Sequence, residues 1–246
     1  MKLDLKRIRK AKDNRLTAVM QVRNEEEGML EEVLEDLSRY VDEIAIVDDA
    51  STDETVALCR KYPKVKHLMT LPQSHFDREW LLRKQLWELA CSTDPDWILA
   101  VDADEIYEDK AKAHMRELMD QDQFDWVGFR LFDLWGDRTH YREDEHWQIH
   151  RRHTRTLVRY IPGYHYFYPP MDHHVPRLPL SYAALPGFLA ELRVKHYGWA
   201  VSREKLNEKY ARYMERDPDG RWGSLAQYRS ILDDNPRLVE WSDEQA

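Results

Sequence analysis

The sequence predicts an α/β protein: a doubly wound, mostly parallel sheet with helices on both faces, followed by an irregular second half. Two observations carry this. Short apolar runs rich in β-branched residues alternate with amphipathic helical patterns through the first 122 residues, and the connections between them are short. Strands joined by helical crossovers pair in parallel and are covered on both faces. At 246 residues the chain can bury a sizeable core.

Each element has its own signal. "LTAVMQV" (16–22) reads as a buried strand, and "EEEGMLEEVLEDLSRY" after it sets Met29, Leu30, Val33, Leu34 and Leu37 on one helical face. "EIAIVDD" (43–49) is a second buried strand. Ser51 and Glu54 stand at the spacing of a capping box, so a helix is expected directly after it. "VKHLMTL" (65–71) is a third strand, "DREWLLRKQLWELA" (77–90) a helix with Leu82, Leu86 and Leu89 inward, and "WILAVDA" (97–103) a fourth strand. Beyond residue 122 the pattern loosens. "WVGFRLF", "QIHRRHTRTLVRY" and "LRVKHYGW" read as strands, 161–191 is proline-rich without periodicity, and "SREKLNEKYARYM" is a helix capped by Ser202, with Leu206, Tyr210 and Tyr213 on one face. The expectation is one domain over 1–246, with a nucleotide-type half at about 15–122 and a pocket-completing half at about 123–246.

Composition excludes several classes. A formal net charge of -9 argues against a nucleic-acid partner. No apolar run approaches a membrane span, and "MKLDLKRIRK" lacks the apolar core of a signal peptide. Cys59 and Cys91 sit in helical patterns and read as buried thiols of a reducing, cytoplasmic setting. The basic start leaves peripheral contact with the inner face of a membrane open. Nine Trp and 13 Tyr suit sugar rings and bases, and equally fill cores.

In an open parallel sheet, ligands bind outside the carboxyl ends of the strands. Three strands end there in polar residues: Gln21, Arg23, Asn24 and Glu25; Asp48 and Asp49; Asp102 and Asp104. Asp102 and Asp104 are two apart and face one side of an extended chain, where they repel unless a cation neutralises them. Hard oxygen donors of this kind suit Mg²⁺ or Mn²⁺. The neighbouring acids Glu105, Glu108 and Asp109 are expected at the negative-favouring start of the next helix. Asp49, at a strand end beside a helix start, can accept from ribose hydroxyls or a base N–H, while Ser51 and Asp53 cap. Arg83 can reach a diphosphate bidentately, as Arg78 and Lys84 nearby could by charge. Eleven histidines suggest zinc, but no Cys-x-x-Cys or His-Glu-x-x-His spacing supports it. His173 and His174 are adjacent and point opposite ways on an extended chain, whereas His196 ends a strand and can face an ion across a cleft.

Together these blocks resemble the family 2 glycosyltransferases of the GT-A fold. "VMQVRNEEEGMLEEVLEDLSRYVDEIAIVDDASTDET" is similar to that family's opening, and "WILAVDADE" to its Asp-x-Asp metal site; the resemblance covers roughly the first 110 residues. "HYGWAVSREKLNEKYARY" further resembles a late segment of a subgroup that includes lipopolysaccharide core glycosyltransferases. The resemblance implies a nucleoside-diphosphate sugar donor of UDP, GDP or TDP type. The Gln21–Glu25 turn and Asp49 would hold base and ribose, Asp102 would lie near the ribose or the ion, and Asp104 would hold Mn²⁺ or Mg²⁺ on the diphosphate. His196 would be a further ion or phosphate contact. It also implies inversion by direct displacement, with a carboxylate taking the proton of a hydroxyl acceptor: a glycan, a lipid-linked glycan, a lipopolysaccharide core, a protein or a small molecule. Glycan or cell-envelope polysaccharide synthesis would be the setting.

The base is where the chain departs from the pattern. The resembled subgroup often has His-Glu in the segment matching "DHHVP", and Val175 stands in place of the Glu. Asp172 is the nearest carboxylate and is preferred; Glu143, Asp144 and Glu145 are rivals. Two other readings compete. A sugar-nucleotide pyrophosphorylase would need a glycine-rich loop after the first strand, where "QVRNEEEGM" has one glycine. A catalytically silent domain binding a sugar or a protein would fit Val175, but not the retained Asp102/Asp104 pair.

Overall fold

A computed structural model describes residues 9–243. The basic start therefore lies largely outside the described residues. The strands are β1 (Leu16–Val22), β2 (Glu43–Asp48), β3 (Val65–Thr70), β4 (Trp97–Ala100), β5 (Glu105–Tyr107), β6 (Trp126–Trp135), β7 (His140–Arg142), β8 (His153–Arg159), β9 (Gly187–Trp199) and β10 (Leu238–Glu240). The helices are α1 (Leu30–Leu37), α2 (Thr55–Arg60), α3 (Glu79–Ser92), α4 (Asp109–Met119), α5 (Arg203–Arg216) and α6 (Leu225–Ser230).

All ten strands join one sheet, in the order β10-β7-β6-β8-β4-β1-β2-β3, with β9 on β6 and β5 on β9. The run β4-β1-β2-β3 is parallel throughout. From β8 outward the pairs β4–β8, β6–β8, β6–β7 and β7–β10 are antiparallel, so the sheet is parallel in its first half and mixed in its second. The reason is in the connections. Helical crossovers separate the parallel strands, whereas only the turn at 136–139 joins β6 to β7, and a turn returns the chain antiparallel.

Two buried layers show the double winding. Leu16, Ala18, Met20 and Val22 pack on one face with Leu30, Val33, Leu34 and Leu37 of α1 and Met115 of α4. Val19, Ala45, Val47, Ile98 and Ala100 pack on the other with Leu82, Leu86, Trp87 and Ala90 of α3; Leu89 is only partly buried. Each fully buried aliphatic side chain contributes about 1.5–3 kcal/mol. No described helix is long and apolar enough to cross a membrane. Cys59 and Cys91 are both unpaired, and burial pushes their thiols up to about 11 and about 12.

Two local expectations are corrected. Ser51 and Glu54 form no capping box: Ser51 Oγ instead accepts from Asn24 N at 2.9 Å, and Asp53 Oδ1 accepts from Thr55 N at 3.0 Å where α2 begins. Of the three acids beyond Asp104, Asp109 lies in the first turn of α4 and Glu108 at its N-cap, as expected, whereas Glu105 does not. Glu105 opens β5, is buried, and takes both Arg177 guanidinium nitrogens at 2.6 Å. Glu108 flanks the helix in extended conformation and takes Arg193 at 2.7 Å. Distant arginines outcompete the weak field of a helix end, because a buried carboxylate needs a full counter-charge.

Candidate functional site

An open cleft of about 1170 Å³ lies beyond the carboxyl ends of β1, β2 and β4 and is closed opposite by the end of β9 and by α5. Register builds it. Val22 pairs with Asp48, Val19 pairs with Ala100, and Asp49 N donates to Val22 O at 2.9 Å, so three strand ends stop at one level. Gln21, Arg23 and Glu25 line it from β1, Asp49 from β2, Asp102 and Asp104 from beyond β4, and His196 from β9. Seven residues singled out from the sequence therefore share one cavity.

The first two turns are stitched together. Asn24 and Ala50 both take the left-handed conformation, with φ of 52° and 58°. Asn24 Oδ1 accepts from Thr52 N at 2.8 Å, and Glu25 N donates to Thr55 Oγ1 at 2.7 Å. Asp49 is buried and accepts from Ser74 Oγ at 2.6 Å and His75 N at 2.7 Å, with Arg23 3.5 Å away. It anchors the 74–75 loop as well as lining the cleft. Gln21 presents a buried side-chain oxygen without a hydrogen-bond partner among the described residues.

The two aspartates after β4 have different neighbours. Asp102 is held by Arg177 at 2.8 Å and lies 3.7 Å from Arg83. Burial would lower the Arg177 guanidinium, but Asp102 and Glu105 outweigh it and hold the charge firmly on. Asp104 Oδ2 lies 3.5 Å from His196 Nε2, and His196 Nδ1 lies 2.6 Å from Asp133 on β6. Pairing of β9 with β5 and β6 sets this, placing Glu105 and Asp133 on either side of His196. Burial pulls His196 down, but Asp104 and Asp133 outweigh it and raise it well above 6.5. Burial likewise raises Asp104, and the His196 charge reverses this to about 2. Burial, then Asp104, Asp53 and Asp102, push Glu25 up to about 7 against the pull of Lys209.

The donor chemistry for a cation fits Asp104 and His196. A Cβ on Gly198 would stand 2.7 Å from Asp104 Oδ2 and 2.6 Å from His196 Nε2, so glycine keeps open the space between the two donors. Asp133 behind His196 is the outer carboxylate that metal-bound imidazoles usually carry. Among the described residues no group of three or more His, Cys, Asp or Glu converges as a closed cage. An ion here would take its remaining ligands from water and from its substrate, as Mg²⁺ does.

The other sequence candidates lie elsewhere. Arg83 is buried behind the cleft between Glu79 and Asp102, where it supports Asp102 rather than facing the cavity. Asp144 is locked to the buried Arg142 at 2.5 Å and accepts from His146 N, outside the cleft lining. Glu143 pairs with Arg151 at 2.8 Å. Asp172 does not line the cavity either; its carbonyl accepts from Glu79 N at 3.2 Å at the start of α3. Arg216 bridges this rim, donating to Phe76 O and to His173 Nδ1, and Asp77, next to Phe76, lines the cleft. His173 and His174 take different partners, Arg216 and Tyr228, but His174 is left-handed with φ of 56° rather than extended.

Sequence reasoning missed the wall that faces the acids. Lys205, Lys209, Arg212 and Tyr213 of α5 line the cleft, and Lys209 is half-buried with its ammonium 5.2 Å from the Trp199 ring centroid. The i, i+4, i+7 spacing of the three cations was legible. Arg177 had no local signal, since its partners lie more than seventy residues earlier.

Comparison with known proteins places the chain. Residues 17–171, more than half of it, match the sequence model described as Glycosyl transferase family 2. Uncharacterized proteins of Mycobacterium tuberculosis and Mycobacterium bovis are each 25% identical over 209 residues, covering 81% of this chain and 50% of theirs. The chain thus spans about half the length of the curated relatives it matches. S. aureus TarS 1-349 shares the fold with a TM-score of 0.53 at 14% identity, over 89% of this chain and 69% of that one. The same protein in complex with UDP-GlcNAc gives a TM-score of 0.52 at 16% identity, over 89% and 70%. With its α/β sheet, its strand-end cleft and this match, the chain belongs to glycosyl transferase family 2.

Proposed function

We propose that this protein moves a sugar from a nucleoside-diphosphate sugar to a hydroxyl acceptor, with inversion and with a divalent cation on the diphosphate. The observation that carries the reading is the convergence of Gln21, Glu25, Asp49, Asp102, Asp104 and His196 in one cleft at the carboxyl ends of the strands. Gln21, with its unpartnered oxygen, and the Asp49 region take the base and ribose. Asp104 and His196 hold Mn²⁺ or Mg²⁺, which when bound stabilises the charge of the departing diphosphate. Asp102, pinned by Arg177, orients the ribose side rather than chelating. UDP donors are the first to test, since the similarly folded S. aureus protein has been seen with UDP and with UDP-GlcNAc.

The base that deprotonates the acceptor comes from the rim where α3 begins. Asp172 keeps that role in this reading, with Asp77 as the rival because it lines the cleft. Val175, in the place of the usual Glu, is buried, and its N–H points to Glu79 Oε2 at 3.4 Å. That is the one observation favouring a catalytically silent, ligand-binding domain. Transfer and donor hydrolysis in Asp172→Asn and Asp77→Asn separate these: loss of transfer in one names the base, and no transfer by the parent with any donor leaves the silent reading. The free thiols support a cytoplasmic setting, and the late-segment resemblance supports a glycan or cell-envelope acceptor.

The donor assignment is tested by calorimetry with UDP, GDP, CDP and TDP, with and without Mn²⁺. At least one should bind, more tightly with the ion, and Asp104→Ala should abolish the ion's contribution. Binding of none, or binding indifferent to Asp104→Ala, would overturn it.

A further inference from the structure

The cleft has two unlike walls. On the strand side stand Glu25, Asp53, Asp102 and Asp104, of which Asp102 and Asp104 already face Arg177 and His196. On the α5 side stand Lys205, Lys209 and Arg212. None of these three side chains makes a hydrogen bond or an ion pair with a described residue; Lys209 has only the Trp199 ring.

A solvated helix face is the ordinary explanation for unpaired cations, and α5 itself argues against it. Its two terminal arginines are both engaged: Arg203 with Asp234 at 3.1 Å, and Arg216 with Phe76 O and His173. Glu208 precedes Arg212 by the four residues of a helical ion pair, yet no bridge forms. The cations left over are the three that share the cleft, and like charges one and two turns apart repel. Half-burying an ammonium without a counter-ion is costly unless one arrives with the ligand.

The geometry points to Lys205, Lys209 and Arg212 as an anion-binding ladder that takes the diphosphate of the donor. The inference rests on the donor reading above and extends it to the opposite wall. The donor is the favoured source of the phosphate because Lys209 lines the same cleft as Asp104, His196, Gln21 and Asp49, opposite the strand ends. A phosphate placed there would touch the ladder on one side and the Asp104–His196 pair on the other. Lys209, at the centre, makes the main contact. Lys205 and Arg212, a turn away on each side, orient the diphosphate and its leaving charge.

The test compares ligands that differ only in phosphate. Affinities of the best-bound nucleoside diphosphate, its parent nucleoside and inorganic pyrophosphate are measured at several salt concentrations in the presence of Mn²⁺. The proteins are the parent, Lys205→Gln, Lys209→Gln, Arg212→Gln and Lys209→Arg, with folding checked by circular dichroism. Removing a charge-assisted contact should weaken the diphosphate about 10- to 100-fold in Lys209→Gln, and less in the other two glutamine variants. The nucleoside should be unaffected, Lys209→Arg should retain most of the affinity, and the salt dependence should flatten in Lys209→Gln. Unchanged diphosphate affinity in all three glutamine variants overturns the ladder while leaving the donor reading intact. Equal weakening of nucleoside and diphosphate overturns it too, as a structural effect. Should no nucleoside diphosphate bind the parent, the donor reading fails and pyrophosphate decides. Pyrophosphate binding that needs Lys209 keeps the ladder as a polyphosphate site, and no such binding removes it.

Discussion

The charges beneath the cleft and the charges inside it are arranged in opposite ways. Beneath it, Glu105 meets Arg177, Glu108 meets Arg193 at 2.7 Å, and Asp125 meets Arg159 at 3.2 Å with both side chains fully buried. Inside it, Glu25 is raised by burial and then by like charge, and Lys205, Lys209 and Arg212 form no ion pair with a described residue. Paired charge in the interior fixes the register of strands and loops, since removing either partner strands the other. Unpaired charge facing a cavity does nothing for the fold and is poised for what enters. Glu105, held by Arg177, and Glu25, which makes no ion pair with a described residue, fall on opposite sides of this divide.

Four substitutions probe the divide, beginning with the largest effect. Asp104→Ala should lower kcat/KM for transfer about 100- to 1000-fold, the scale of a lost contact to developing charge, while leaving a folded protein. Asp125→Ala should do the reverse: denaturant unfolding should show a loss of about 3–5 kcal/mol as the buried Arg159 loses this carboxylate while keeping its bonds to the Gln121 and Phe124 carbonyls, with donor affinity in the folded protein preserved. Glu25→Gln should weaken donor binding yet raise stability at pH 8 by about 1 kcal/mol or more. The sign follows from the folded carboxyl being raised from 4.5 to about 7, so its stabilising proton is held below 4.5 and lost as pH rises through 7. Melting curves at pH 4 and pH 8 check it; equal shifts at both would mean the site carries no electrostatic strain. Arg212→Gln should leave stability within about 0.5 kcal/mol of the parent, because no partner is stranded. A large loss there would blur the contrast between wall and foundation.

Much of this site was legible because its parts are local. Alternation of "LTAVMQV", "EIAIVDD" and "WILAVDA" with helical patterns gave the strand ends, and the strand ends gave Gln21, Asp49, Asp102 and Asp104. What was not legible depends on long-range pairing. Glu105 looked like a helix-start acid until Arg177 reached it, and Ser51 looked like a cap until the Asn24 turn took its hydroxyl. Asp144 stood in an acidic run with the appearance of a site, and Arg142, two residues away but buried, had already claimed it. The mixed second half of the sheet was hidden for the same reason, since short strands such as β7 and β10 have no periodicity to read.

A crystal structure with Mn²⁺ and the tightest-binding nucleoside diphosphate tests the central claim most directly. The base is expected beside Gln21 and Asp49, the ion between Asp104 and His196, and the diphosphate within hydrogen-bond reach of Lys209. A nucleotide bound outside this cleft, or one whose diphosphate points away from both Asp104 and α5, would contradict it.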